Sequence, residues 1–304
     1  MTFLVVGESL VDLIGAGDGW TFQAAPGGSP LNVAVGLAAH GRPVRLASEV
    51  GDDLFGGLVR DHLRRYGVDD ADVLTGGPTS LAVARIDAAG VATYDFRFGW
   101  AYAARPSLAG VDCVHVGSLA ALVEPGAAAV RALVRAARDA EVVVSYDPNV
   151  RPALVGERTR ARHRVEELVA LADLVKVSAE DLAWLHPGEP AEEVAAGWRG
   201  LGPRLIVVTR GGDGATAVHD GGRSEVSAPL VTVVDTVGAG DSFTAALLAA
   251  LSEAGALAAG RPPAFTPEII DHAVRYAAAA AAAVCAHLGA LPPTAAEIAA
   301  LLDR

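Results

Sequence analysis

Apolar residues along this chain gather in short continuous runs rich in Val, Ile and Leu, at 3–6, 44–47, 111–116, 142–145, 174–177 and 205–209. Between most of them the spacing turns helical, as at 30–40, 54–66 and 127–140. Strands apolar on both faces that alternate with helices predict a largely parallel sheet, because crossover helices shield both faces from water. Residues 79–87 and 91–98 depart from this pattern: two strand-like stretches follow each other with only Ala88, Ala89 and Gly90 between them. Such a hairpin does not belong in a parallel core. Together with residues 14–25 it is expected to form a small sheet that projects as a lid, inserted within one domain spanning 1–304. A second hairpin, 215–219 with 223–228, turns at Asp220, Gly221 and Gly222. The stretch 255–267 reads as a surface loop between two helices. The alanine-rich stretch 273–290 is interrupted by Arg275, Tyr276 and His287, so it is expected to pack internally rather than to cross a membrane.

Hydrophobic content of 52% is ample for a core in a chain of 304 residues. The formal net charge is −12 and the 24 basic residues are scattered, so no basic face gathers a phosphate backbone and nucleic acid is not an expected partner. An anionic ligand must then be held by local backbone amides, a few arginines and a metal ion. Cys113 and Cys285 show no metal-ligand spacing and read as reduced core residues of a cytoplasmic protein. The apolar stretch at the N-terminus stops at Gly7, too short for a signal peptide.

Ligands of open α/β sheets bind beyond the carboxyl ends of the strands, so the polar and glycine residues that follow each apolar run carry most weight. Among these, Asp235-Thr236-Val237-Gly238-Ala239-Gly240-Asp241 leads directly into a strong helical pattern. Small residues before a helix let several backbone N–H groups converge where the helix dipole already favours negative charge. Asp241 alone could be a helix cap, but a cap does not need Gly-Ala-Gly before it. There is no G-x-x-x-x-G-K-[ST] loop, and Lys176 is the chain's single lysine, so a Walker-type lysine on the phosphates is excluded. Upstream, Gly27-Gly28-Ser29-Pro30-Leu31-Asn32 opens another helix. Ser29 as N-cap with Pro30 behind it explains the start, and Gly41 the stop. Gly27, Gly28 and Asn32 are left over, and they suit a ligand that touches backbone and a side-chain amide.

These two segments resemble the two signatures of the ribokinase-like (PfkB) family of sugar kinases. Between them lie Val50-Gly51-Asp52-Asp53-Leu54-Phe55-Gly56, Asp147-Pro148-Asn149-Val150-Arg151-Pro152 and Val208-Thr209-Arg210-Gly211-Gly212-Asp213-Gly214, in the family's order. The resemblance implies a three-layer α/β/α fold and ATP-dependent phosphorylation of a sugar hydroxyl. It makes Asp241 the base, with the amides of Gly238, Ala239 and Gly240 as the anion hole. Asp12, Gly27, Gly28 and Asn32 map to the sugar contacts, with Arg151 as a further candidate. Thr209, Gly211 and Gly214 map to the nucleotide site, although they also suit a tight turn, and Asn149 is placed with the cofactor. Mg²⁺ is the expected metal. Ser178-Ala179-Glu180-Asp181 departs from the family's Asn-x-x-Glu, so Asp181 is either an outer-shell Mg²⁺ partner or part of a capping box. Asp235 and Gly289 fall where relatives place a monovalent cation such as K⁺, and a homodimer is expected.

Within the family the motifs at 25–28, 147–152 and 176–178 are most similar to the fructokinase branch. A 2-keto-3-deoxygluconate kinase would need arginines for a carboxylate, and Arg97 of the lid and Arg151 could supply them. A nucleoside kinase would want an aromatic platform such as Phe96, Phe98 and Trp100. A non-catalytic sugar sensor should have lost the base or the anion loop, and both are present.

Overall fold

The computed structural model describes residues 1–15, 21–86 and 92–303. Among these residues the main sheet has nine strands, in the spatial order Gly222–Val226, Ala215–His219, Leu205–Thr209, Leu174–Ser178, Val143–Asp147, Cys113–Gly117, Phe3–Val6, Val44–Val50 and Val73–Thr75. All neighbours pair parallel except Ala215–His219, which pairs antiparallel with both Gly222–Val226 and Leu205–Thr209. The apolar runs are strands buried on both faces. Phe3 and Val5 enter one hydrophobic cluster and Leu4 and Val6 the other, and Leu205 and Val207 alternate in the same way with Ile206 and Val208.

One face of the sheet is covered by the helices Ser29–Ala39, Leu54–Tyr66, Ala239–Glu253 and Pro267–Cys285, the other by Gly126–Asp139, Arg158–Val169, Ala179–Leu185 and Ala191–Arg199. Helix Ala239–Glu253 is buried from Asp241 to Ser252. Its alanines allow close packing against Pro267–Cys285, the alanine-rich helix expected inside the protein. No helix is long and apolar enough to cross a membrane among the described residues. Helix Ser29–Ala39 crosses helix Ala239–Glu253 at Gly36, where a Cβ would come within 2.6 Å of Ala245 Cβ.

The two strands of the expected hairpin are Ser80–Ile86 and Ala92–Arg97, paired antiparallel; their turn lies outside the described residues. They join Phe22–Gly27 and Leu10–Gly15 in a separate four-stranded sheet. Residues 16–20 of the expected lid also lie outside the described residues. Strand Leu10–Gly15 therefore connects the two sheets, coming four residues after the first core strand.

Candidate active site

Three chain turns meet at the carboxyl ends of the central strands. The first follows Phe3–Val6 and leads to Asp12. The second is Gly27-Gly28, which enters helix Ser29–Ala39. The third is Gly238, which enters helix Ala239–Glu253. Gly28 sits at φ 105° with a hypothetical Cβ 2.7 Å from the Glu8 carbonyl, and Gly238 at φ 78° against Ala290, so neither position accepts a side chain without displacement.

Asp241 lies in the first turn of its helix and is 8% exposed. Ser29 Oγ donates to its Oδ1 at 2.6 Å and Asn32 Nδ2 to its Oδ2 at 2.8 Å. Burial pushes its carboxyl above the usual range, against those two hydrogen bonds. Ser29 is thus not the N-cap expected from sequence: Gly28 holds that position without a side-chain bond, and the Ser29 hydroxyl is spent across the helix interface. Asn32 likewise faces Asp241. Asp12 belongs to the same group of charges, raised to about 6 by burial and by the Asp241 carboxylate, with Arg151 opposing. Gly27 leaves room for it, since a Cβ there would collide with Asp12 Oδ2.

In the glycine loop the Ala239 amide is already engaged, donating to the Thr236 carbonyl at 3.2 Å. The Gly240 and Asp241 amides have no backbone acceptor among the described residues. The Gly238 amide has no backbone acceptor there either, so of the amides at 238–241 only that of Ala239 is engaged with the backbone. Asp235 ties this loop down: its Oδ1 accepts from Val237 N at 3.0 Å and its Oδ2 from Gly289 N at 2.9 Å.

Beneath the loop, Lys176 Nζ donates to Asp147 Oδ2 at 3.0 Å, and Thr244 Oγ1 lies 3.3 Å from the same oxygen. Asp147 Oδ1 is buried without a hydrogen-bond partner. Asp181 is raised to about 6 by burial and then by Asp147, with Lys176 opposing. Its side chain is not the cap of its helix. Ser178 Oγ accepts from Asp181 N at 3.0 Å, while Asp181 Oδ1 accepts from Val150 N at 3.0 Å and so faces the Asp147 turn. In that turn Asn149 adopts φ 38°, and Arg151 Nη1 donates to Asn149 Oδ1 at 2.7 Å.

Thr209, Gly211 and Gly214 line a cavity of about 290 Å³ with Ala239, Phe243 and Cys285. Its walls are mainly apolar and it opens beside the glycine loop, as a nucleotide base would require. Cys285 is half-buried at this cavity instead of lying in the core; Cys113 is fully buried as expected. Among the described residues no group of three or more His, Cys, Asp or Glu side chains is placed to hold a metal ion directly.

The structure does not bring Arg97 to this group. Its side chain is 74% exposed and pairs with Asp95 at 3.0 Å. It is in register with Leu81 and hence with Val11, whereas Asp12 aligns with Ala82 and Phe96; successive residues of a strand face opposite ways. Arg97 is therefore on the face away from Asp12, and we expect Arg97→Ala to change sugar KM and kcat by less than about threefold, the effect of a solvent-exposed ion pair. Steady-state kinetics of the variant check this. Trp100 is no nucleoside platform either: it is 3% exposed and stacked on Tyr102.

Sequence reasoning passed over Ser29, Lys176 and Thr244. Ser29 was given only a capping role, and Lys176, the single lysine of the chain, was used against a Walker loop and within the 176–178 motif but was given no place in the site.

The pfkB family carbohydrate kinase model matches residues 2–296. A fructokinase of Klebsiella pneumoniae is 35% identical over 269 residues, covering 83% of this chain and 84% of that protein. The crystal structure of a fructokinase with bound ATP from Xylella fastidiosa superposes with a TM-score of 0.89 at 26% identity, covering 99% and 98% of the two chains. A fructokinase double mutant from Vibrio cholerae O395, in its fructose, ADP and potassium ion bound form, gives 0.85 at 27% identity over 99% and 98%. The paired helices that set Ser29 and Asn32 on Asp241 beside a glycine loop thus occur in a chain that belongs, over nearly its whole length, to the pfkB family of carbohydrate kinases, as an ATP-dependent sugar kinase.

Proposed function

We propose that the chain transfers the γ-phosphoryl group of ATP to a hydroxyl of fructose, with Asp241 as the base. The observation that carries this reading is the position of Asp241, which links the Asp12 and Gly27 pocket to the amides of the glycine loop. Asp241 accepts the hydroxyl proton as the sugar oxygen attacks phosphorus, and the Gly240 and Asp241 amides face the charge of the transferred group. Asp12 and Asn32 offer acceptor and donor to the sugar hydroxyls. The apolar cavity beside Thr209 and Gly214 takes the base of ATP.

A neutral ketose is favoured over a keto-acid by charge. Arg97 lies on the far face of its sheet, which leaves Arg151 as the one arginine of the pair near Asp12, where Asp241 already contributes negative charge. Relatives and structural neighbours that are fructokinases support the same choice. The test is ATP-dependent phosphorylation of fructose, 2-keto-3-deoxygluconate, ribose and adenosine in parallel. Fructose is expected to give the highest kcat/KM, and a higher value for any of the others discards the substrate assignment.

Mg²⁺ fits the Asp147 turn. The buried, unpartnered Asp147 Oδ1 and the Asp181 carboxylate offer oxygen to a hydrated divalent ion, which would neutralise phosphate charge during transfer. Since Ser178 and not Asp181 supplies the helix cap, Asp181→Ala should raise the Mg²⁺ concentration for half-maximal rate by about 10- to 100-fold. Thermal stability should change little, and a titration of rate against Mg²⁺ beside a melting curve separates the two roles. Asp235, which braces the loop to Gly289, is the proposed neighbour of a monovalent cation. A homodimer and a reducing, cytoplasmic setting for the two unpaired thiols complete the proposal.

A further inference from the structure

Of the 24 basic residues in the chain, only Lys176 is a lysine. Among the described lysine and arginine residues it is also the most withdrawn from water, 5% exposed. Its ammonium does not end at Asp147. A Cβ built on Gly240 would lie 3.1 Å from Lys176 Nζ, so the charge rests against the first turn of helix Ala239–Glu253, in the space that a side chain on the loop would occupy. The guanidinium used everywhere else in this chain is a broad planar fork, and a compact ammonium is the cation that fits under a backbone turn.

The surroundings explain why a cation is needed there. Asp147, Asp181 and Asp241 all act on Lys176, and Asp241 acts on Asp12. A phosphate tail entering this space meets four carboxylates. Arg151, the other nearby cation, is exposed and folded onto Asn149. If Lys176 served only to neutralise Asp147, a strand-level pair would suffice and the open Gly240 face would have no purpose. Thr244 strengthens the link to the loop, since its hydroxyl lies within hydrogen-bond distance of both Asp147 Oδ2 and the Gly240 carbonyl.

We propose that Lys176 is a positioning residue for phosphoryl transfer. Held by Asp147, its ammonium fixes positive charge under the Gly240 and Asp241 amides and lets the transferred group settle among the carboxylates. The proposal rests on the reading of that loop as the phosphoryl site. In the step itself the bond from the sugar oxygen to phosphorus forms as the bond from phosphorus to the ADP oxygen breaks. The hydroxyl proton passes to Asp241, and Lys176 keeps its own protons throughout.

The test is Lys176→Met, which keeps an unbranched side chain up to Cε and removes the charged Nζ. ADP affinity is measured with Mg²⁺ and fructose, with and without aluminium fluoride, a mimic of the phosphoryl group in flight, beside kcat, KM and Tm. We expect kcat to fall on the order of 10²- to 10³-fold, with KM for ATP and sugar and the affinity for ADP alone within about threefold. The tightening by aluminium fluoride seen in the wild type should fall at least about tenfold. A variant with kcat within about fivefold of wild type overturns the proposal, as does one in which affinity for ADP alone declines together with Tm and the fluoride effect. If Lys176→Met does not fold, the pair D147N/K176M removes both buried charges, and the fluoride tightening is compared with that of D147N alone. Equal tightening in those two proteins also overturns it. A wild type whose ADP affinity ignores aluminium fluoride removes the phosphoryl-site reading and the proposal with it, whereas turnover by Asp241→Asn removes only the base.

Discussion

Asp241→Asn is expected to lower kcat by about 10²- to 10⁴-fold, the contribution of a positioned general base, while the protein melts at the same temperature as wild type or higher. The second half of this expectation follows from burial. The Asp241 carboxyl is pushed above its ordinary range by desolvation, so ionising it costs more in the folded chain than in the unfolded one. A carboxylate raised in this way weakens the fold at pH values above its folded pKa and relieves that cost as pH falls through it. Asparagine removes the cost and can keep one of the two acceptor contacts, to Asn32, while its amide N–H can donate to the Ser29 hydroxyl. Loss of turnover with retained or improved Tm is a result that damage to the fold cannot imitate. The same sign places the acid limb of wild-type kcat/KM above the usual carboxylate range, because the base must be ionised. Asp12, raised to about 6, contributes to that limb if it must be charged to bind sugar. Kinetics across pH and a melting curve measure all of this.

Gly27→Ala should strike the sugar and spare the nucleotide. The new methyl group would come within 2.2 Å of Asp12 Oδ2, the far end of a side chain that can rotate away, so the backbone need not move. Asp12 would then lose its place beside Asp241. A hydrogen bond to a charged group contributes about 1.5–3 kcal/mol, so sugar KM should rise roughly 10- to 100-fold. KM for ATP should stay within about twofold, since the nucleotide cavity lies on the other side of the loop. Equal rises in both would mean that the turn into helix Ser29–Ala39 had shifted as a whole.

The parallel sheet and the hairpin of the second sheet were legible because both rest on period and punctuation. Apolar runs buried on two faces need no long-range information, and Gly90 next to two alanines marks a turn wherever it lies. The glycine loop was legible for the same reason. Residues whose role depends on a partner far along the chain were misread or missed. Ser29 before Pro30 has the same local appearance whether its hydroxyl caps its own helix or crosses to Asp241, 212 residues away. Arg97 was misplaced by parity: a shift of one residue in a strand decides which face a side chain takes, and the lid pattern did not settle it. Cys285 was assigned to the core from an alanine-rich helix whose outer turn proves to be a cavity wall. Lys176 is buried through its approach to Gly240, and no pattern within its own strand shows that approach.

The tight crossing at Gly36, where an added Cβ would lie 2.6 Å from Ala245 Cβ, has a consequence for any attempt to improve this protein. By helix propensity alone, Gly36→Ala is an attractive stabilising change, worth up to about 1 kcal/mol in an isolated helix. Here the added methyl group would act as a wedge between the helices that carry Asn32 and Asp241. The spacing of the two signatures is gauged by a contact that takes no part in the chemistry, one turn of helix away from it. A search that ranks substitutions by local preference will therefore rate Gly36 as highly as the open helical positions Gly57 and Gly197, although it alone of the three holds the two halves of the site in reach of each other.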